Sequence, residues 1–249
     1  MNLSKNDLII PDWDAPSTVK AIITSRRGGV SVAPYASLNL GDHVGDTIDA
    51  VTRNRAILRQ LLPNEPVWLK QVHGTHIADA DTSLEGIIEA DACVAHMKNR
   101  VCAVMTADCL PVLLCDDAGT VTGAAHAGWR GLVSGVIERT VKAMGAPPAS
   151  LMAYLGPAIG PDAFEVGGEV RQAFIAHDPA AQAAFLPHGA DKWLADIYLL
   201  ARQRLAALGI SRIYGGNFCT YTDAENFFSY RRDGVTGRMA SLIWLSDEI

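Results

Sequence analysis

Residues 101–126, VCAVMTADCLPVLLCDDAGTVTGAAH, decide the fold, because they contain three short apolar runs joined by tight connections. The runs lie at 101–106, 110–115 and 120–125 and are rich in Val, Leu and Ala. Strands that are apolar throughout are typical of the centre of a sheet, where both faces are covered. Three such strands in succession favour a sandwich of mixed sheets with helices outside over a doubly wound parallel sheet.

The remaining elements follow from shorter patterns on either side of this stretch. Apolar runs bounded by Gly, Asp or Pro predict further strands at 19–24, 67–72, 90–96, 151–155, 212–215 and 239–245. Helices are predicted at 51–62, 131–144, 168–177 and 191–208. In the last of these, Leu194, Ile197 and Ala201 recur at helical spacing, Gly209 ends the pattern and Asp191 lies near its N-cap. The whole chain therefore predicts a mixed α/β (α+β) fold.

Bulk composition narrows the class of protein. The 249 residues contain no Pro/Ser/Gly-rich linker and no fixed-period repeat, which favours one domain over 1–249. A net charge of −6 argues against nucleic acid or an anionic membrane as a partner. No apolar run approaches the roughly 18 residues that span a bilayer, and the first residues lack a signal-peptide core. We therefore expect a cytoplasmic protein, and its five cysteines suggest no disulfide framework.

Two histidines and one cysteine lie where three of the apolar runs end or are interrupted. They are His73 in VWLKQVHGTH, Cys109 in TADCLP and His126 in AAHAGWRG. Their separations in the sequence are too long for a zinc finger and suit residues that the fold brings together. Two imidazoles and a thiol could form a metal site with one open position, or a Cys/His pair for nucleophilic catalysis. The residues alone leave both readings open.

The motifs around these residues resemble a known family. WLKQVHG (68–74), TADCLPVLL (106–114) and AAHAGWRG (124–131), in this order, are similar to the YfiH-like family known as laccase-domain or polyphenol oxidase proteins. Bacterial members are also described as purine nucleoside phosphorylases with adenosine deaminase activity. The resemblance extends to SLNLGDHVGD (37–46), GPAIGPDAFEVGGEV (156–170) and FFSYRRDGVTGRMAS (227–241). It therefore covers the chain from about Thr24 to its end.

The resemblance implies a fold, a metal site and substrates. The fold is a layered α-β-β-α sandwich, similar to that of a bacterial toxin deamidase with a Cys/His site. The family's metal ligands and catalytic groups match His73, Cys109 and His126, which suit Zn²⁺ with a fourth position for water, and copper as a substitute. The substrates would be purine nucleosides and phosphate. The reactions would be phosphorolysis of adenosine, inosine, guanosine or methylthioadenosine, and deamination of adenosine, in a monomer or small homo-oligomer.

Several polar residues in the matching motifs are candidates for catalysis or substrate binding. Asp108 adjoins Cys109 and is a candidate general base, or a partner for a ligand imidazole. Asn39 and His43 in SLNLGDH carry groups that suit a purine or ribose edge, and Gln71 precedes His73 by two positions. Candidates for stacking on a purine are the aromatic residues Tyr35, Trp129 and Phe228.

Phosphate requires donors, and the chain has neither of the usual glycine-rich phosphate motifs. The candidates are arginines in the matching loops, namely Arg27 in SRRGGVS, Arg130 in AGWRG, and Arg231 and Arg232 in SYRRDG. Arg130 also lies at the start of the predicted helix 131–144, where free N–H groups favour an anion. We therefore expect Arg130 to contact phosphate, with Arg27 or Arg231 as further contacts.

Other functions remain open at this point. A copper-dependent phenol oxidase could use the same ligands, but seven histidines without a His-x-His pair cannot furnish the copper cluster of a laccase. A metal-independent hydrolase could use Cys109 as nucleophile and His126 as base. A metal-binding or small-molecule-binding regulatory protein is the remaining alternative.

Overall fold

Two mixed β-sheets form the centre of the computed structural model, which describes residues 3–4, 7–82 and 86–247. The first sheet has the order β1 (Leu8–Ile9), β2 (Val19–Thr24), β14 (Met239–Leu245), β6 (Val101–Thr106) and β3 (Pro66–Val67). The second has the order β13 (Arg212–Gly215), β9 (Leu151–Leu155), β7 (Leu110–Asp116), β8 (Thr122–Ala127), β5 (Ala92–Ala95) and β4 (Ile77–Asp79). Antiparallel pairs predominate, with parallel pairs between β3 and β6, β4 and β5, and β9 and β13.

Six α-helices, two short 3₁₀ helices (Pro148–Ser150 and Pro179–Ala184) and a small third sheet complete the described structure. The third sheet has the order β10 (Glu165–Gly167), β12 (Lys192–Ala195) and β11 (Phe185–Pro187). The helices are α1 (Ile48–Arg59), α2 (Trp129–Val133), α3 (Val136–Met144), α4 (Gly168–His177), α5 (Ile197–Ala207) and α6 (Tyr230–Asp233). None of the helices in the described ranges has the length and hydropathy of a membrane span.

The layers explain why the central strands are apolar throughout. Side chains alternate along a strand, so each face of a sheet takes every second residue. Leu113 of β7 packs between the two sheets with Cys102 and Ile243. Its neighbours Val112 and Leu114 lie on the other face, in the core that includes residues of α3 and α5. Helix α1 packs on the outer face of the first sheet. The predicted α-β-β-α order and the mixed α/β class are therefore confirmed.

The helix predicted at 51–62 lies three residues earlier in the structure, at Ile48–Arg59, and three predicted elements differ more strongly. The strand predicted at 67–72 ends at Val67. Beyond it, the Gln71 side chain donates to the Met105 carbonyl and accepts from the Met105 N–H, so these backbone groups pair with a side chain and not with a neighbouring strand. The helix predicted at 131–144 is divided in two at Gly135, which has a φ of 93°. The helix predicted at 191–208 begins only at Ile197, after the strand β12. Its N-cap is Asp196, which accepts from the Leu199 N–H at 2.9 Å, and not Asp191.

The turn between β7 and β8 depends on a buried carboxylate. Asp116 accepts from the Thr120 N–H at 2.7 Å, the Thr120 hydroxyl at 2.6 Å and the Val121 N–H at 3.0 Å. Burial raises the pKa of Asp116, but these hydrogen bonds more than offset that effect and the pKa lies below its usual value. The carboxylate therefore fixes the connection that sets the register of the two central strands.

We expect Asp116→Ala to lower the free energy of unfolding by about 1–3 kcal/mol at pH 7, because the buried Val121 N–H and the part-buried Thr120 N–H lose their acceptor. Because the pKa is depressed in the folded state, the carboxylate stabilises the fold above its unfolded pKa of about 3.9, and this stabilisation is lost as the pH falls through the folded pKa. The difference between wild type and variant should therefore narrow in acid. Urea unfolding from pH 7 to pH 3 measures it, with Asp117→Ala as the neighbouring control.

Candidate metal centre and the adjoining cavity

His73, Cys109 and His126 come together at one end of the two sheets. His73 lies in the loop after β3, Cys109 in the bend between β6 and β7, and His126 within β8. One ligand atom of each residue lies within 4.8 Å of the other two. The Cys109 Sγ lies 3.7 Å from His73 Nε2, and the two imidazole rings meet edge to face with centroids 4.7 Å apart.

These distances fit a tetrahedral metal ion. Bonds of about 2.3 Å to sulfur and about 2.0 Å to nitrogen place the two ligand atoms roughly 3.5 Å apart, which is close to the 3.7 Å between Cys109 Sγ and His73 Nε2. Three protein ligands leave the fourth position of a tetrahedral ion for water or substrate, as in catalytic zinc sites. The three residues can therefore hold a metal ion in an open site.

A buried aspartate that the sequence analysis did not single out organises this centre. Asp91 Oδ1 accepts from His126 Nδ1 at 2.8 Å and from the His73 N–H at 2.9 Å. Its Oδ2 accepts from the N–H groups of Gly74 at 2.6 Å and Val72 at 3.2 Å. The bond to His126 occupies Nδ1 and leaves Nε2 for a metal, which is the usual arrangement of a carboxylate behind a metal-binding histidine. Asp91 thus positions two of the three ligands.

The charges of the centre are strongly coupled. Burial raises the pKa of Cys109, but the His126 and His73 imidazoles more than offset it and lower the pKa to about 6. Burial lowers the pKa of His126, whereas the Cys109 thiol and Asp91 raise it to about 9. Near pH 7 the pair therefore favours a thiolate beside an imidazolium. A bound metal ion would take the place of that imidazolium proton, since ligands bind in their deprotonated forms.

Asp108 serves the wall of the site rather than a ligand imidazole. Its backbone φ is 92°, which is rare for a residue with a side chain. Its Oδ1 accepts from the Thr220 hydroxyl at 2.6 Å and its Oδ2 from the Arg231 N–H at 2.6 Å. The carboxylate therefore fastens α6 and the 220 loop to the segment that carries Cys109. The role of general base stays a prediction.

A cavity of about 600 Å³ opens beside the centre. The residues that line it include the three ligands and the predicted residues His43, Gln71, Asp108, Trp129, Arg130 and Arg231. It is also lined by residues that the sequence analysis did not anticipate, among them Phe164, Tyr230 and Arg238. Arg130 lies over the Trp129 ring at 4.5 Å and Arg231 over the Phe164 ring at 5.7 Å. The cavity thus combines positive charge with aromatic surface.

Two predicted substrate-binding residues lie outside this lining. Asn39 is fully buried, and its amide contacts the backbone of Gly41 and Arg238 and the Asp46 carboxylate. Its hydrogen-bonding capacity is therefore used within the protein, and it supports the loop that carries His43. Arg27 forms ion pairs with Asp7 at 3.8 Å and Glu225 at 3.4 Å, away from the cavity. Neither residue is placed to contact a substrate there.

Gln71 and the aromatic candidates divide similarly. Gln71 lines the cavity, but its amide donates to the Met105 carbonyl at 2.8 Å and accepts from the Met105 N–H at 2.7 Å. Phe228 is fully buried, and the Tyr35 hydroxyl donates to the Val44 carbonyl at 2.9 Å. Of the three predicted stacking residues, only Trp129 lines the cavity.

Gly128 lies against two of the three candidate ligands, where a side chain would not fit. A Cβ at Gly128 would lie 2.9 Å from both Cys109 Sγ and His73 Cδ2. The φ of Gly128 is −59°, which alanine also adopts, so an added methyl group should displace the ligands and not the backbone. We expect Gly128→Ala to weaken metal binding at least about 10–100-fold, the range for a disturbed ligand environment. Metal content after dialysis against a chelator measures this.

Gly74→Ala provides the matched control for that variant. Its added methyl would lie 3.4 Å from Asp91 Oδ2 and 3.5 Å from Val72 Cγ2, which are ordinary contacts. Equal retention of metal by Gly128→Ala and Gly74→Ala would contradict the geometry described for the centre.

The layered fold and the open His₂Cys centre define a class of α/β protein in which a candidate metal site adjoins a cavity lined by arginines. The chain belongs to the family described as "Multi-copper polyphenol oxidoreductase laccase", whose sequence model matches residues 20–246. The family resemblance of the motifs is thereby confirmed.

Curated relatives and solved structures agree with this assignment. The chain is 58% identical over 240 residues to "Purine nucleoside phosphorylase YfiH" of Escherichia coli (strain K12), covering 96% of this chain and 98% of that protein. It is 53% identical over 243 residues to "Purine nucleoside phosphorylase PA4543" of Pseudomonas aeruginosa, covering 97% and 100%. The crystal structure of Neisseria meningitidis protein NMB0706 matches with a TM-score of 0.94 and 54% identity, covering 96% and 99%. YlmD from Geobacillus stearothermophilus matches with a TM-score of 0.86 and 29% identity, covering 93% of each chain.

Proposed function

We propose that this chain is a zinc-dependent purine nucleoside phosphorylase. It would convert adenosine, inosine or guanosine, and also methylthioadenosine, with phosphate into a free base and the sugar 1-phosphate. The observation that carries the proposal is the cavity of about 600 Å³ that places three arginines and aromatic rings beside the His₂Cys centre. Its volume and mixed lining suit a nucleoside together with an anion. The relatives named as purine nucleoside phosphorylases support the same substrate class.

The chain's residues have distinct tasks in this reaction. His73, Cys109 and His126 would hold the zinc ion, which when bound supplies Lewis-acid polarisation of a substrate group or of water. The cavity arginines would neutralise phosphate and aim one of its oxygens at the sugar carbon that bears the base. The bond from that carbon to the base nitrogen then breaks, and the base leaves with the electron pair and takes up a proton. Catalysis would rest mainly on positioning and on charge stabilisation.

Deamination of adenosine belongs to the same proposal. Water would replace the amino group of the purine ring and ammonia would leave, giving inosine. This reaction needs no phosphate, so the cavity arginines should matter less to it than to phosphorolysis. We further propose that the protein acts in the cytoplasm as a single domain over 1–249, and as a monomer or small homo-oligomer.

A specific observation favours a second candidate, a metal-independent thiol hydrolase. In space, the His126 imidazole lies between the Cys109 thiol and the Asp91 carboxylate, with 2.8 Å between His126 Nδ1 and Asp91 Oδ1. This is the order of groups in a Cys-His-carboxylate nucleophile system. His73 is not one of these three groups and would contribute only by lowering the pKa of the Cys109 thiol, 3.7 Å from its Nε2, which gives a way to separate the two candidates.

Phenol oxidation is less well supported, despite the name of the family. Among residues 3–4, 7–82 and 86–247, the geometry of a metal-binding group of three or more His, Cys, Asp or Glu residues occurs at His73, Cys109 and His126 alone. Four-electron reduction of oxygen in laccases needs several coppers and therefore further ligand groups. Copper bound in place of zinc should give a weak oxidase at most.

Product analysis tests the proposal directly. We expect metal-quantified protein to convert adenosine to adenine or hypoxanthine plus ribose 1-phosphate when phosphate is present, and to inosine when phosphate is omitted. Chromatography of the products, with a phenol oxidation assay on the same copper-free preparation, makes the measurement. Rapid phenol oxidation without any nucleoside turnover would contradict the proposal.

A further inference from the structure

Arg238 stands apart from the other arginines of the cavity in how the protein holds it. It lies immediately before β14 and lines the cavity together with the three candidate metal ligands, His73, Cys109 and His126. Its side chain is half-buried, whereas Arg130 and Arg231 are exposed and lie over aromatic rings. A guanidinium that is already fixed loses less conformational entropy when it binds an anion than one on a mobile side chain.

The protein fixes Arg238 from behind. Its Nη1 donates to the carbonyls of Thr236 at 3.1 Å and Gly237 at 3.0 Å. Its backbone N–H donates to the buried Asn39 Oδ1 at 2.9 Å. Its stem packs on Gly41, where an added Cβ would lie 2.8 Å from Arg238 Cγ. The loop that carries His43 and the residues before β14 therefore close around one side of this arginine.

The other side of the guanidinium is left for a ligand. Nε and Nη2 of Arg238 have no hydrogen-bond partner among the described residues. These two N–H groups form the planar fork that binds two oxygens of a phosphate or carboxylate at once. The nearby acid Asp108 does not take this place, since its carboxylate oxygens accept from Thr220 and from the Arg231 backbone.

We propose that Arg238 is the residue that binds the phosphate nucleophile, which rests on the proposed phosphorolysis. Arg130 and Arg231 then supply general positive charge at the exposed rim, and Asn39 acts as a positioning residue for Arg238. The sequence expectation that Arg130 is the main phosphate contact is replaced by this assignment. Arg130 is the second residue of α2, a helix of five residues whose N-cap is Gly128.

The test compares matched charge changes in the metal-loaded protein. Arg238→Gln, Arg130→Gln, Arg231→Gln and the remote Arg53→Gln each remove one positive charge. We expect Arg238→Gln to raise the Kd of inorganic phosphate, measured by calorimetry, and the phosphate KM with saturating inosine by roughly 10- to 100-fold. The inosine KM and the metal content should stay near the wild-type values. Arg130→Gln and Arg231→Gln should have smaller effects, and Arg53→Gln none.

The outcomes separate this assignment from the proposed function. Arg238→Lys keeps the charge but not the fork, so its phosphate Kd and phosphate KM should lie between those of wild type and Arg238→Gln. If melting curves show that Arg238→Gln is unfolded, Arg238→Lys takes its place in the test. Phosphate binding by wild type that is lost in Arg238→Gln, without turnover of any nucleoside, would support the anion site and contradict phosphorolysis. Phosphorolysis with an unchanged phosphate KM in Arg238→Gln would overturn the assignment of Arg238 but leave the proposed function intact. It would also be overturned by a larger effect of Arg130→Gln or Arg231→Gln, or by wild type that binds no phosphate.

Discussion

Cys109→Ala should lose its bound metal ion and more than about 100-fold of its nucleoside turnover, while keeping the fold. Removal of a ligand should cost more than the 10–100-fold in metal affinity that loss of an outer partner costs. Cys109 lies in a bend at the cavity and is only partly buried, so the shorter side chain removes little core packing. Elemental analysis, melting curves and product chromatography on the same preparation measure the three quantities.

Two further variants provide a control for Cys109→Ala and separate a metal enzyme from a thiol hydrolase. Cys219→Ala changes another partly exposed cysteine, outside the lining of the cavity beside the candidate metal centre, and should retain its metal. His73→Ala removes a metal ligand but leaves Cys109, His126 and Asp91 in place. A metal enzyme should therefore lose activity in both Cys109→Ala and His73→Ala. A thiol hydrolase should lose it fully only in the first, and should keep part of it in His73→Ala, where the Cys109 thiol loses one of the two imidazoles that lower its pKa. Full metal content in Cys109→Ala would exclude the thiolate as a ligand.

The parts of the fold that could be predicted from the sequence are those set by local pattern. The strands within 101–126 were predicted because residues such as Val112 and Leu113 must both be apolar when each faces a different layer. The error at 191–208 has a local cause as well. Leu194 and Ile197 have helical spacing, but Leu194 lies in β12 and Ile197 begins α5, so the spacing crosses a boundary. Asp196 is the N-cap in the structure, and the sequence analysis did not consider it because the pattern placed the start of the helix at Asp191.

The candidate site could be predicted only in part, because its supports connect distant residues. His73, Cys109 and His126 each stand beside recognisable strand ends, and the structure brings them together. Arg238 and Asn39, by contrast, are joined across 199 positions, and no spacing rule relates them. The buried amide of Asn39 and a substrate-reading amide look the same in a sequence. A signal for Asp91 did exist, namely a lone carboxylate inside an apolar run, because a buried charge requires several donors.

Asp91→Asn should weaken metal binding by about 10–100-fold, the range for loss of the partner behind a ligand histidine. Both carboxylate oxygens of Asp91 accept two N–H groups each, so an amide turned either way directs its NH₂ at two donors. In one orientation the NH₂ faces His126 Nδ1 and favours the tautomer with the proton on Nε2, which cannot bind a metal. In the other it opposes the N–H groups of Gly74 and Val72 and displaces the loop that carries His73.

The control for Asp91→Asn must separate a positioning role from a general loss of stability. Asp116→Ala serves this purpose, because Asp116 is also a buried carboxylate with several donors, but it lies in the β7–β8 turn. Both variants should melt earlier than wild type by comparable amounts, since each leaves the donors around a buried carboxylate poorly satisfied. Only Asp91→Asn should raise the metal Kd, measured by competition with a chromogenic chelator at a temperature where both variants are folded. Equal metal affinities of the two variants would show that Asp91 merely stabilises β5 and its neighbours, and that the His126 tautomer is set by Cys109 and the metal alone.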